Sequence, residues 1–207
     1  MSLAELFHAK RTQRSQRATP HLRRRRLFGG CKPPPRQRKY LLEPLEPRLL
    51  LSTSPLSFAA AAGTAVDLTL RLQEDPNTPV VQLINNADPN PATQIVASQE
   101  LADTSSVIVT GAELDDRLTI DGSVPSSLPI RFDGGMGTNT LIGPAADSTW
   151  TITGPDAGSV GSVQFTGIGN LTGRNGTDEF NMLVGGSISG QIDGGDGDNT
   201  LSGPDTD

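Results

Sequence analysis

The stretch FDGGMGTNTLIGP (132–144) returns as IDGGDGDNTLSGP (192–204), an offset of 60 residues. A weaker pair, GAELDDRLT (111–119) and GRNGTDEFN (173–181), is offset by 62. All four fit one degenerate nonapeptide, G-G-x-G-x-D-x-U-x, in which U is a large apolar residue, and such self-similarity is the mark of a repeat architecture. Each position has a mechanical reason. Glycine reaches positive φ and lets carbonyl oxygens approach closely. A carboxylate at position six is a ligand type for a hard cation. The U residues (Leu118, Leu141, Phe180 and Leu201) stand on the short strand after the turn and are expected to point into a core.

Working outward, the four copies start at 111, 134, 173 and 194, and a further glycine turn, Gly154-Pro155-Asp156-Ala157-Gly158, divides the longest gap. Turns then recur every 19 to 23 residues. That step suits one coil of a parallel β-solenoid, with its Gly/Asp/Asn turns stacked along one edge. The expected fold is therefore all-β, a parallel β-solenoid or β-roll-like repeat region over 111–207. Apolar residues between turns are expected to line its interior: Leu141, Trp150, Ile152, Val160, Val163, Phe165, Ile168, Leu171, Phe180, Met182, Val184, Ile188 and Ile192.

The nonapeptide resembles the calcium-binding β-roll repeat of RTX proteins. The resemblance implies weak Ca²⁺ binding by Asp133, Asp193, Asp196 and Asp198 together with the side-chain carbonyls of Asn139 and Asn199. Asp116 and Asp178 would serve the other two turns. The chain departs from the pattern in three ways. Position six is Asn at 139 and 199, Leu114 and Arg174 replace glycines, and the copies are not in tandem. Two readings of these turns stay open: a site of the extracellular class, with Kd on the order of 10⁻⁴–10⁻³ M, or tight turns closed by Asx hydrogen bonds with no metal. Residues 107–207 also resemble a repeat unit of giant bacterial exoproteins, which implies an adhesin-like or matrix role. The final LSGPDTD (201–207) starts another copy, so an array truncated at its C-terminus, without a capping unit, is expected.

Upstream, residues 53–110 read as a small β region that caps the array. Alternation or β-branched runs predict strands at Val66–Gln73, Val80–Ile84, Gln94–Ala97 and Ser106–Val109, with turns between them. Residues 1–52 differ in kind. They carry 13 Lys/Arg against 3 Glu, whereas residues 53–207 carry 4 Arg against 20 Asp/Glu. So basic a segment, with Arg23 to Arg26 and Pro33 to Pro35, is expected to be a disordered leader. Nucleic-acid binding, an anionic membrane surface, an export signal and a solvated tail compete as its role. Export fits best, because the charge-free LLLSTSPLSFAAAAGTAV (49–66) follows the basic residues. Within the leader, LEPRLLLS (45–52) matches and resembles the LEPR-XLL motif of very large exported or surface proteins of bacteria, planctomycetes among them. That resemblance implies export or surface anchoring.

Composition narrows the chemistry. The 207 residues include one Cys and two His, and no Lys, His or Cys follows residue 40. Ser-His-Asp and Cys-His catalysis, Schiff bases and His/Cys zinc sites are thereby removed from the C-terminal three quarters of the chain. Aromatic residues make up 4%, with one Trp, so sugar-stacking platforms are scarce. No apolar run is long enough to be a membrane-spanning helix. The reading is a non-enzymatic, exported or cell-surface, adhesin-like repeat protein that binds Ca²⁺ weakly at its turns. Its expected partners are the export machinery or cell envelope, through the leader, and a surface or matrix polymer; nucleic acid is not expected. The alternatives are a carbohydrate-binding or carbohydrate-active β-solenoid module and a nucleic-acid binder acting through the leader.

Overall fold

The computed structural model describes residues 53–204, and these are almost entirely strand and turn. In chain order the strands are β1 (Ser54–Ala59), β2 (Asp67–Gln73), β3 (Val80–Asn85), β4 (Ile95–Glu100), β5 (Thr104–Thr110), β6 (Arg117–Ile120), β7 (Ile130–Asp133) and β8 (Thr140–Ile142). They continue as β9 (Ser148–Gly154), β10 (Ala157–Val160), β11 (Val163–Thr166), β12 (Asn170–Thr172), β13 (Asp178–Met182), β14 (Ile192–Asp193) and β15 (Thr200–Ser202). A single 3₁₀ turn, Leu101–Asp103, joins β4 to β5. The basic leader with its LEPR-XLL motif lies outside the described residues.

The protein is all-β, and its two sheets are mixed. One runs β1-β5-β7-β11-β10-β9-β13-β15 and the other β14-β12-β8-β6-β2-β3-β4. Nine of the thirteen strand pairings among the described residues are parallel. The four antiparallel ones are confined to β2-β3-β4 and β9-β10-β11. The second group corrects the expectation of a purely parallel array. Gly154 pairs with Ala157 across Pro155-Asp156, and Val160 pairs with Val163 across Gly161-Ser162. Both loops have two residues and carry positive φ, at Asp156 (+51°) and Gly161 (+55°). Gly161, with positive φ at the first loop position, matches the twist of a hairpin, and the antiparallel register on both sides shows that the glycine turn at 154–158 reverses the chain instead of opening another parallel step.

The turns are also split between two edges, where one was expected. The turns at 111–116 and 134–139 lead from the eight-stranded sheet into the seven-stranded one. Those at 173–177 and 194–199 lead back the other way. In the seven-stranded sheet, β6, β8, β12 and β14 follow one another at offsets of 23, 30 and 21 residues, as Leu118, Leu141, Leu171 and Ile192 come into register. The 60-residue sequence repeat is therefore not a whole number of steps. The same sequence lands on opposite edges of the molecule.

Strands β2 to β5 occupy the four stretches whose patterning predicts strands. β1 comes from the apolar run assigned to an export signal, and it pairs in parallel with β5 while burying Leu56. The inward residues of both sheets meet in one core that runs from Leu56 to Phe180. At its centre Trp150 stacks on Phe180, with centroids 5.3 Å apart and rings 19° from parallel, and is tilted against Phe165. Stacking in this range adds about 0.5–1.5 kcal/mol to what burial contributes. Of the apolar residues expected inside, Leu141 through Phe180 are buried, and Met182, Ile188 and Ile192 pack on the core's rim. Val184, at 85% exposure, and Leu201, at 62%, are the two failures.

Candidate functional site

Four glycine turns carry the eight residues singled out as cation ligands, and the fold brings them together in pairs. In the first pair the position-six residues are Asp116 and Asn139. The amide of Asp116 donates to Asn139 Oδ1 at 2.8 Å. Asn139 Nδ2 donates to its own turn at Met136 O (3.0 Å) and to the following segment at Gly167 O (2.9 Å). The second pair repeats the main bond. The Asp178 amide donates to Asn199 Oδ1 at 2.8 Å, while Asn199 Nδ2 reaches only Gly195 O and Gly197 O of its own turn.

These contacts give Asn139 and Asn199 a structural role. Their carbonyl oxygens already accept a backbone N–H from the neighbouring turn, so they act as brackets between turns. An amide suits that role because one side chain must accept and donate at once, which a carboxylate cannot do. Asp133 and Asp193 close their own turns, accepting from the amides of Gly135 (3.2 Å) and Gly195 (2.9 Å). For these two the Asx-turn reading describes the contacts. Asp196 and Asp198 are exposed. Among the described residues, no three acidic, His or Cys side chains come together as a metal cluster.

The two remaining candidates differ sharply. Asp116 is buried with both oxygens satisfied: the Val66 amide donates to Oδ1 at 2.8 Å and the Ala112 amide to Oδ2 at 2.9 Å. Asp178 is fully buried, at 0% exposure, and neither of its carboxylate oxygens has a hydrogen-bond partner among the described residues. Both carboxylates press against the first glycine of their turn. A Cβ on Gly111 would run into Asp116 Oδ2 and Gly134 O, and one on Gly173 into Asp178 Oδ2 and Gly194 O. At Gly173, then, a free carboxylate oxygen and a backbone carbonyl of the next turn converge. Both are hard oxygen donors, two of the six to eight that Ca²⁺ takes.

Sequence reasoning missed a second set of residues. Asp115 Oδ1 accepts from the Thr138 amide (2.7 Å), Asp147 Oδ1 from Thr177 (2.8 Å) and Asp156 Oδ1 from Ser189 (2.7 Å). Glu113 Oε2 accepts from the Gly63 amide at 2.7 Å, and Asn170 Oδ1 from the Gln191 amide at 2.9 Å. Each bond ties a turn to its neighbour 21 to 50 residues away. The signal was available for one of them, since Asp115 and Thr138 share position five of successive copies.

A groove of about 760 Å³ is lined by Ile120, Val124, Pro125, Asp147, Val160 and Val163 among others. Its lining includes one carboxylate, Asp147, and no aromatic ring. Comparison with known proteins gives no match: no family model, no curated protein and no solved structure is similar enough to place the chain in a family.

Proposed function

We propose that this chain is an exported or cell-surface structural protein, adhesin-like and non-enzymatic, whose folded part is a β-solenoid interrupted by one antiparallel meander. The observation that carries the reading is where the polar side chains of the turns spend their bonding capacity. Asp115, Asp116, Asn139, Asp147, Asp156, Asn170 and Asn199 all accept backbone N–H groups of a neighbouring segment. Groups used this way hold steps together and are not free to act on a substrate. The parallel register of β6, β8, β12 and β14 supports the same view.

Calcium enters the proposal at one turn instead of four. Asp178 and the Gly194 carbonyl would hold the ion, whose positive charge would answer a buried carboxylate that has no hydrogen-bond partner among the described residues. An uncompensated buried charge costs several kcal/mol, so a cation there stabilises the fold without taking part in any reaction. The groove near Asp147 does not favour the carbohydrate alternative, because the Asp147 carboxylate is engaged and no ring is present for stacking.

Thermal melts of the full chain in 5 mM CaCl₂ and in chelator test the metal half. With Kd about 1 mM, linkage gives about 1 kcal/mol, which is about 2–4 °C for a chain of this length. Mass analysis of the N-terminus of the cell-surface or secreted product tests the export half. A melting temperature indifferent to calcium removes the ion and leaves the structural reading. A product found only in the cytoplasm removes export.

A further inference from the structure

The turn at 173–177 demands glycine at its fourth position, and that demand builds in a reactive pair. Gly176 stands at φ +112°, and a Cβ there would come within 2.7 Å of the Asp147 amide nitrogen and 2.8 Å of the Ala146 carbonyl carbon. Glycine alone takes such a conformation at no steric cost. The residue before it is Asn175, and Asn175-Gly176 is the one Asn-Gly pair in the 207 residues. Asn175 is exposed. Among the described residues the Gly176 amide donates no backbone hydrogen bond, whereas the next amide, that of Thr177, is taken by Asp147 Oδ1 at 2.8 Å. An uncommitted amide nitrogen, with no side chain to shield it, thus follows an exposed carboxamide.

The bracketing asparagines are protected twice over. Asn139 and Asn199 each accept an amide at 2.8 Å through Oδ1, and Asn170 accepts the Gln191 amide at 2.9 Å. They are followed by Thr140, Thr200 and Leu171, whose side chains crowd the next amide nitrogen. Asn175 holds none of these brackets.

We infer that Asn175-Gly176 is a self-modifying site, where the chain converts its own asparagine to aspartate or isoaspartate with water as the co-reactant. The Gly176 nitrogen attacks Asn175 Cγ, the Cγ–Nδ2 bond breaks, and ammonia leaves with the proton given up by Gly176. The product is a cyclic imide. Water then adds to one of its two carbonyl carbons, and the C–N bond at that carbon breaks. Opening at Cγ leaves aspartate. Opening at the backbone carbonyl leaves isoaspartate, whose main chain runs through Cβ and Cγ and is one carbon longer.

The two products act differently on the fold. Aspartate has a precedent in the molecule, since Asp196-Gly197 fills the same two places in the copy at 194–199, with Gly197 at φ +106°. Isoaspartate lengthens the chain just before Thr177, whose amide and carbonyl tie this turn to Asp147 and Ser148. It therefore loosens the edge where the segment 143–147 meets the turn 173–177. The change is one-way, so this edge ages while the bracketed turns do not. The inference goes beyond the proposed function and rests neither on its calcium site nor on export.

The full chain, held folded at neutral pH in water enriched in heavy oxygen and mapped by mass spectrometry over several weeks, tests it. The expected result is loss of the amide and uptake of one heavy oxygen at Asn175, with isoaspartate among the products and no change at Asn139, Asn170 or Asn199. Asn175→Gln, at an exposed position, must close a larger ring and loses the reaction. Asn175→Asp melts with the wild type, and the isoaspartate fraction, separated by chromatography, melts lower. A folded chain that takes up no oxygen at Asn175 overturns the inference; uptake in urea alone shows that the turn holds the Gly176 nitrogen away from Cγ. Equal uptake at Asn139 or Asn199 overturns the protection by brackets, and an isoaspartate fraction that melts with the wild type overturns the loosening.

Discussion

Asp116 and Asp178 hold the same place in two copies of one motif, are equally buried, and each sends its amide to an Asn of the neighbouring turn. Their carboxylates nevertheless have opposite surroundings. Val66 and Ala112 bring two N–H groups to Asp116. At the second turn the preceding segment spends its donor elsewhere, with the Ser148 amide bonding Thr177 O at 3.1 Å. Arg174, which replaces Ala112, stands at φ +94°, and no amide turns toward Asp178. The lesson is that position six does not define a ligand by itself. The segment packed before the turn decides whether the carboxylate is consumed by the backbone or left without a hydrogen bond.

The largest effect that separates the two turns is a reversal of sign. Asp116→Ala leaves two amides without their acceptor, and hydrogen bonds to charged groups count for about 1.5–3 kcal/mol each. A loss of about 3 kcal/mol is expected, the same with or without calcium. Asp178→Asn in chelator removes a buried charge that has no partner and is expected to be neutral or stabilising by up to about 2 kcal/mol. It should also abolish the calcium response. Urea unfolding of both variants in calcium and in chelator reads all four numbers. Equal losses for the two variants in chelator would show that the turns are alike after all.

Arg174 offers a smaller test of why the second turn is open. In the two strongest copies the same place is Gly135 and Gly195, at φ +73° and +76°. A side chain at positive φ costs on the order of 1–3 kcal/mol, partly offset by the entropy that glycine loses on folding. Arg174→Gly is expected to raise stability by about 1 kcal/mol, while Ala112→Gly, whose φ is not positive, should lower it slightly. Paired melts of the two variants check the direction. Destabilisation by Arg174→Gly would mean that its charge matters more than its strain.

How much of this was legible follows from the physics of each signal. Glycine turns and alternating strands are local, so β2 to β5 and the starts at 111, 134, 173 and 194 could be read directly. Leu118, Leu141 and Phe180 were also readable as inward residues, because period-two alternation fixes their side of the strand. The division of the turns between two edges was not. It depends on the β9-β10-β11 reversal, whose Pro155-Asp156 and Gly161-Ser162 loops look the same in sequence as a corner between parallel strands. The bracket role of Asn139 and Asn199 was illegible for a related reason. It needs the partner turn 21 or 23 residues away, and nothing local distinguishes a bracketing amide from a weakened ligand. Leu201 fits the inward pattern and fails it only because no strand among the described residues lies beyond β15.

The smallest expected effect ties Arg174 to the acid limb. The Asp121 carboxyl is held below its usual 3.8, first by the Ser123 hydroxyl and then by the Ser123 amide, which donates at 2.9 Å; the charges of Arg174 and Arg71 add to this and burial opposes it. Asp75 is lowered by the amides of Asn77 and Thr78, and Asp88 by the Asn90 amide and then the Thr93 hydroxyl. A carboxyl lowered in the folded state gives its full contribution above the unfolded value and loses it as pH falls through the folded one. The contribution of these three groups is therefore complete and constant at neutral pH and is lost only below about pH 4. Carbon-detected titration of the Asp carboxyls should place all three midpoints below 3.8. In Arg174→Gly the Asp121 midpoint should rise but stay below that value, because the two Ser123 bonds are the larger cause. Ser123→Ala, which removes the hydroxyl and keeps the amide, should move it further than Arg174→Gly does. If Arg174→Gly moves it more, the guanidinium governs Asp121, and the arginine at the open turn is held there by charge.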